Sequence, residues 1–169
     1  MSTIDSLITD RTQEDVDRAV YLNGLWVYDE AAGALNWSGT SAELAEWANG
    51  SKGAYNAEDL NRVGAAVEYV AGRFAAYGYA VSVSPKQDWA MGDIPREADM
   101  VKYLAEVEQL RSLVSVMPTT PETPGDMECL SYMEANNIEQ ILVDVDKVLE
   151  TMITTFVLCG EAICGEDNL

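Results

Sequence analysis

The stretch NAEDLNRVGAAVEYVAGRFAAYG, residues 56 to 78, carries its large apolar side chains at Leu60, Val63, Val67, Val70, Phe74 and Tyr77. The steps between them are 3, 4, 3, 4 and 3. That spacing lays one apolar stripe along a helix and cannot serve a strand, whose side chains alternate with period two. Asn56 is suited to the N-cap, and Asp59 follows three positions later, where its carboxylate can reach back to the cap N–H. Gly78 is a natural C-terminal stop. Inside the helix, Gly64 and Gly72 each weaken it by up to ~1 kcal/mol relative to alanine. Alternatively, they permit close approach of a neighbouring helix.

The same grammar recurs on both sides. Met100, Tyr103, Val107, Leu110 and Val114 step by 3, 4, 3 and 4, which predicts a helix over 96–116. Ile138, Leu142, Val145, Leu149, Met152 and Phe156 step by 4, 3, 4, 3 and 4, with Ile141, Val148 and Ile153 widening the face. This helix is expected over 131–156, with Ser131 and Glu134 forming a capping box. A first helix is expected over 12–28, capped by Thr12 with Asp15, although Asn23-Gly24 is a candidate break. Residues 29 to 39 read as a loop or short β-turn region. A short helix over 41–49 starts from Thr40 and Glu43. Residues 79–84 read as a short strand or an extended link.

These elements predict a mainly α fold. Its helices would form a multi-helix bundle or pack in coiled-coil fashion, with long loops and a short extended C-terminal tail. The organisation expected is a helical region over 1–117, a proline-rich linker over 118–127, and a C-terminal helix and tail over 128–169. A short pattern also recurs at three helix starts. Thr12, Asn56 and Ser131 occupy caps, Asp15, Asp59 and Glu134 lie three positions later, and Asp17, Asn61 and Asn136 lie five positions later. Convergence of well-capped amphipathic helices accounts for such a pattern better than an internal repeat does.

The chain has 169 residues and a net charge of −19, from 29 acidic and 10 basic residues. Such a chain is repelled by phosphate backbones and anionic lipids, so neither nucleic acid nor membrane is an expected direct partner. No apolar run reaches transmembrane length. The opening MSTIDSLITD lacks a basic region before an apolar run, so no secretory leader is expected. From Glu122 onward, eleven carboxylates face a single base, Lys147. The surface is either simply well solvated or an imitation of a polyanion.

Catalytic chemistry finds little to work with. Histidine is absent, which removes the usual general base and the Cys₂His₂ zinc site. There is no phosphate-cradling glycine loop. The carboxylate groups Glu14-Asp15-Asp17, Glu58-Asp59 and Asp144-Asp146 lie on helices, where neighbouring carboxylates ordinarily face solvent. Cys129, Cys159 and Cys164 are read as reduced thiols without a ligand role. No cofactor or metal is expected, and the chain is not expected to be an enzyme. The candidate contact residues are instead aromatic: Trp26, Trp37, Trp47, Tyr55 and Trp89 cluster around loops and helix ends. Trp and Tyr dominate protein interfaces, but these residues would equally close the ends of a helical core. Val157, Leu158 and Ile163, in a tail with no helical pattern of its own, are candidates to dock on a partner.

Four local motifs carry a family resemblance: Tyr55-Asn56, Asp59-Leu60-Asn61-Arg62, Lys86-Gln87-Asp88-Trp89, and Ile138 to Leu142. Together they resemble a helical module found in tail-fibre and baseplate-region structural proteins of Firmicutes bacteriophages and prophages. The opening TDRTQEDVDRAVYL is similar to such proteins as well. The resemblance implies a virion structural protein that joins or supports host-attachment components. It further implies partners among other tail and baseplate proteins, and a homo-oligomer, such as a trimer, in the assembly. The competing expectation is an acidic phage-encoded decoy that occupies a nucleic-acid-binding host defence protein.

Overall fold

The computed structural model describes residues 2–155. Among them are five α-helices and one two-stranded sheet. In chain order they are α1 (Gln13–Asn23), β1 (Trp26–Asp29), β2 (Ala34–Trp37), α2 (Ser41–Ala48), α3 (Ala57–Ala76), α4 (Glu97–Ser112) and α5 (Tyr132–Thr155). The protein is mainly helical.

The 3-and-4 stripes of the three long helices face each other. Leu60, Val63, Val67, Val70 and Phe74 from α3 are buried in one cluster with Tyr103, Val107 and Leu110 from α4 and Ile138, Ile141, Leu142, Val145 and Leu149 from α5. Each such side chain taken from water contributes roughly 1.5–3 kcal/mol, so this shared core is the main source of stability. The stripes therefore meet within one chain. At the end of the α3 stripe, Tyr77 lies beyond the helix and is exposed.

The helix starts follow the sequence closely. Thr12–Asp15, Thr40–Glu43 and Asn56–Asp59 form reciprocal capping boxes. At α5 the Glu134 carboxylate accepts from the Ser131 N–H at 2.8 Å, and the Glu134 N–H donates to the Ser131 hydroxyl at 3.2 Å. In each box a backbone donor with no helical partner finds a side-chain acceptor.

Other expectations are refined or corrected. α1 stops at Asn23, where Asn23-Gly24 does break the helix, and Trp26 belongs to a strand. Residues 26–37 form an antiparallel hairpin with Trp26 opposite Trp37 and Tyr28 opposite Leu35. The Asp29 carboxylate accepts from the N–H groups of Ala31 and Ala32, and Gly33, at φ 62°, turns the chain back. Of the two readings of residues 79–84, the strand is not formed and the link stands. α4 spans fewer residues than the 96–116 expected, ending at Ser112. Residues 118–127 are stitched to the helices: the Thr120 hydroxyl donates to Asp144, the Arg111 Nε to the Pro121 carbonyl, and the Thr123 hydroxyl to Glu108. Phe156, the expected last residue of α5, and the tail, including Val157, Leu158 and Ile163, lie outside the described residues.

Two extended segments cross the long helices as straps. The Asn61 side chain of α3 accepts from the Trp89 N–H at 2.8 Å and donates to the Trp89 carbonyl at 2.9 Å. The Asn136 side chain of α5 does the same to Arg11, at 3.0 and 2.9 Å. Three residues before each clasped residue, the strap passes the helix one turn further on. Gly64 leaves room there for the Lys86 carbonyl, and Glu139 accepts from the Ile8 N–H at 2.6 Å. Gly64 thus admits a strap rather than a helix. Gly72 has open space where a Cβ would lie.

Candidate functional site

The hairpin and α2 fold back on α1 to make a small unit whose centre is aromatic. The Trp26 ring packs edge-on against Trp37 and Trp47, with centroids 5.3 and 5.2 Å away, and Trp37 and Trp47 lie 6.3 Å apart. T-shaped pairs of this kind add about 0.5–1.5 kcal/mol beyond their buried area. Trp37 Nε1 donates to the Thr40 carbonyl and Trp47 Nε1 to the Asn23 side chain. The triad therefore ties β1, β2, α2 and the end of α1 together. A two-stranded hairpin is marginal alone, and this packing supplies what it lacks.

The triad is half-buried, but the hairpin beyond it is not. Val27, Tyr28 and Leu35 are 51%, 61% and 60% exposed. Tyr28 and Leu35 stand opposite one another on the same sheet face as Trp26 and Trp37. Among the described residues, the outer edges of both strands carry no further strand. The unit is acidic in sequence: residues 13–51 hold seven carboxylates against one base, Arg18. Arg18 is already engaged, donating to Glu46 through Nε and Nη2 at 3.0 and 2.7 Å. The Thr40 N–H and hydroxyl bonded to Glu43 hold that carboxyl below its ordinary value, and Arg18 does the same to Glu46. Both carboxylates are thus firmly ionised at neutral pH.

The structure separates the five candidate aromatics. Trp26, Trp37 and Trp47 come together in the triad. Trp89 is buried against α3 beneath the Lys86 ammonium, 3.7 Å from its ring centroid, and serves the core. Tyr55 is half-buried, with its hydroxyl 2.5 Å from that of Tyr103. Burial pushes both phenols well up from their ordinary range.

A buried ionic cluster escaped the sequence reading. Arg11 Nη2 reaches Asp59 at 2.8 Å and Glu139 at 2.7 Å, and Arg62 contacts the same two carboxylates. Glu139 is fully buried. Burial depresses the Arg62 pKa, but the hydrogen bonds and charges of Glu139 and Asp59 outweigh it and raise the value overall. Two cations offset two carboxylates, so the cluster balances its charge, although the buried Arg11 Nε has no hydrogen-bond partner among the described residues, and it ties the N-terminal strap to α3 and α5. Asp59, taken from sequence as a solvent-facing acid beside Glu58, belongs to this interior group, and Asp144 is likewise buried against Thr120. The available signal was placement: Glu139 falls between Ile138 and Ile141 on the apolar face of α5.

A shallow cleft of about 180 Å³ beside Trp47, lined by Ala19, Asn23, Asn56, Glu58 and Met91, is smaller than typical ligand sites. Cys129 is an exposed free thiol. Among the described residues no group of three or more metal-ligating side chains assembles, and no helix is long and apolar enough to cross a membrane. Comparison with protein-family models, curated proteins and solved structures finds no match.

Proposed function

We propose that the chain is a non-catalytic docking and assembly protein of a bacteriophage tail-fibre or baseplate region, with the hairpin unit as its docking end. The observation that carries the docking role is the exposed apolar tip of Val27, Tyr28 and Leu35, held on a Trp triad in a stretch with seven carboxylates against one base. An apolar centre with a charged rim is the usual anatomy of a protein interface. A chain built only to imitate a polyanion would have no use for large apolar side chains in the middle of its acidic surface, so docking is preferred over the decoy reading. The placement in a phage tail rests on the resemblance of residues 55–62, 86–89 and 138–142, and virion localisation follows from it.

The test has two arms. Mass spectrometry of purified particles detects this chain if it is a tail component and misses it if it is a decoy. Tyr28→Asp with Leu35→Asp alters only exposed side chains, so the helical signal stays intact while incorporation into particles is lost. Normal incorporation of that variant overturns the docking role of the hairpin.

A further inference from the structure

α1, α3 and α5 open with matched caps, yet among the described residues only two of them carry a strap. On α3 the strap is clasped five residues after the cap by Asn61 and admitted eight residues after it by Gly64. On α5 the same two stations are Asn136 and Glu139. Both straps run antiparallel to their helix, and a large residue, Trp89 or Arg11, sits at the clasp. On α1 the two stations are Asp17 and Val20. Capping alone does not require a clasp, so its repetition marks this helix face as a seat for extended backbone.

Among the described residues, the seat on α1 is open. Gln13, Asp17, Val20, Tyr21 and Gly24 share that face and all are exposed, Val20 by 65%. Gln13 is the hydrogen-bond partner of the Asp17 carboxylate, at 2.9 Å. We propose that this face binds an extended, basic segment of a partner chain, seated as residues 86–89 sit on α3 and residues 8–11 on α5. The proposal rests on the docking reading above and names the chemistry of the partner.

The changes at the two stations set the occupant's character. Asn61 and Asn136 both accept and donate, whereas the Asp17 carboxylate only accepts. It can take the N–H of a seated segment but cannot reach its carbonyl. Its charge, with Glu14 beside it, calls instead for a Lys or Arg side chain on the segment. Val20, in place of Gly64 or Glu139, holds the segment off and offers it an apolar contact. A second copy of this chain is a poor occupant: its net charge is −19, and the clasped residues of its straps are already held by its own helices.

The experiment is an amide-shift NMR titration of the full chain with a seven-residue peptide copying residues 84–90, with Asp88 replaced by Lys. The expected result is saturable shifts confined to residues 13–24. The affinity should exceed at least tenfold that of the peptide with Lys86 replaced by Glu and Asp88 kept. Asp17→Lys, an exposed change whose spectrum also reports folding, should abolish the shifts, and Tyr28→Asp should leave them unchanged. Equal binding of the acidic peptide overturns the proposal, as do shifts spread over acidic residues throughout the chain. Concentration-dependent shifts at 13–24 without peptide would give the face to a second copy and overturn it too. Loss of particle incorporation in the hairpin variant together with no peptide shift would leave the docking reading standing and this inference refuted.

Discussion

Asn136 holds Arg11 by that residue's own N–H and C=O, at 3.0 and 2.9 Å, and so fixes a side chain that reaches both buried carboxylates, Asp59 and Glu139. The strap is thus secured twice, by its backbone and by its charge. Arg11→Ala leaves Glu139, which is fully buried, with Arg62 as its remaining cation. Breaking a buried ion pair from one side costs about 3–5 kcal/mol. Urea denaturation should show a loss of that size. Arg11→Met combined with Glu139→Met removes both charges together and should recover much of it. A double variant no more stable than Arg11→Ala would show that the cluster matters for more than charge balance.

Two glycines of α3 should respond to alanine with opposite signs. At Gly64 an added Cβ would stand 2.8 Å from the Lys86 carbonyl oxygen, which is backbone and cannot swing aside. The strap must shift, and overpacking of this kind costs about 1–3 kcal/mol. At Gly72 nothing lies within 4 Å, so alanine there only improves helix propensity, by up to ~1 kcal/mol. Thermal or urea midpoints of the two variants should move in opposite directions. Movement in the same direction would show that the strap is not seated on Gly64.

What the sequence made legible follows from range. The caps at Thr12, Thr40, Asn56 and Ser131 are decided within four residues, and the apolar stripes at 60–74 and 138–149 within one helix, so both were readable. The hairpin was only half visible: Asn23-Gly24 announced the end of α1, but Trp26 and Trp37 pair across a loop that carries no two-residue turn signature. The clasps were present as a pattern, Asn61 and Asn136 five residues after their caps. Their meaning depends on Trp89 and Arg11, which are 28 and 125 residues away in sequence. The buried cluster failed for the same reason. Nothing near Glu139 in the chain says that Arg11 will meet it. Of the aromatic candidates, the contiguous group around the hairpin was placed together, and Trp89 was drawn into the core by the strap.

Removing the Trp47 ring should unfasten the hairpin without unfolding the body. Trp47 touches Trp26 and Trp37 and bonds Asn23, all within the α1–hairpin–α2 unit, whereas the core cluster draws on α3, α4 and α5. Trp47→Ala should abolish hydrogen-exchange protection of the hairpin N–H groups over residues 26–37 and leave α3 and α5 protected. The far-UV helical signal should fall by no more than α2 contributes. Loss of protection in α3 would mean that the triad stabilises the whole molecule.

Acidification acts on the helix caps with a definite sign. The Asp15 carboxyl is held below its ordinary value of 3.8 by the Thr12 N–H and hydroxyl. The Glu43 and Glu134 carboxyls are held below 4.5 in the same way by Thr40 and Ser131. A carboxyl whose folded pKa is depressed binds fewer protons when folded than when unfolded. Its contribution is therefore complete above the ordinary value and is lost as pH falls through the folded one. The combined variant Asp15→Asn, Glu43→Gln, Glu134→Gln keeps an acceptor oxygen at each box but cannot titrate there. The remaining carboxylates are common to both proteins and cancel in the comparison. Urea midpoints should show the natural chain the more stable of the two at pH 7. The gap should stay constant down to about pH 5 and close progressively toward about pH 3. A gap that stays constant across that range would show that the boxes are held by geometry alone, with no contribution from the carboxylate charge.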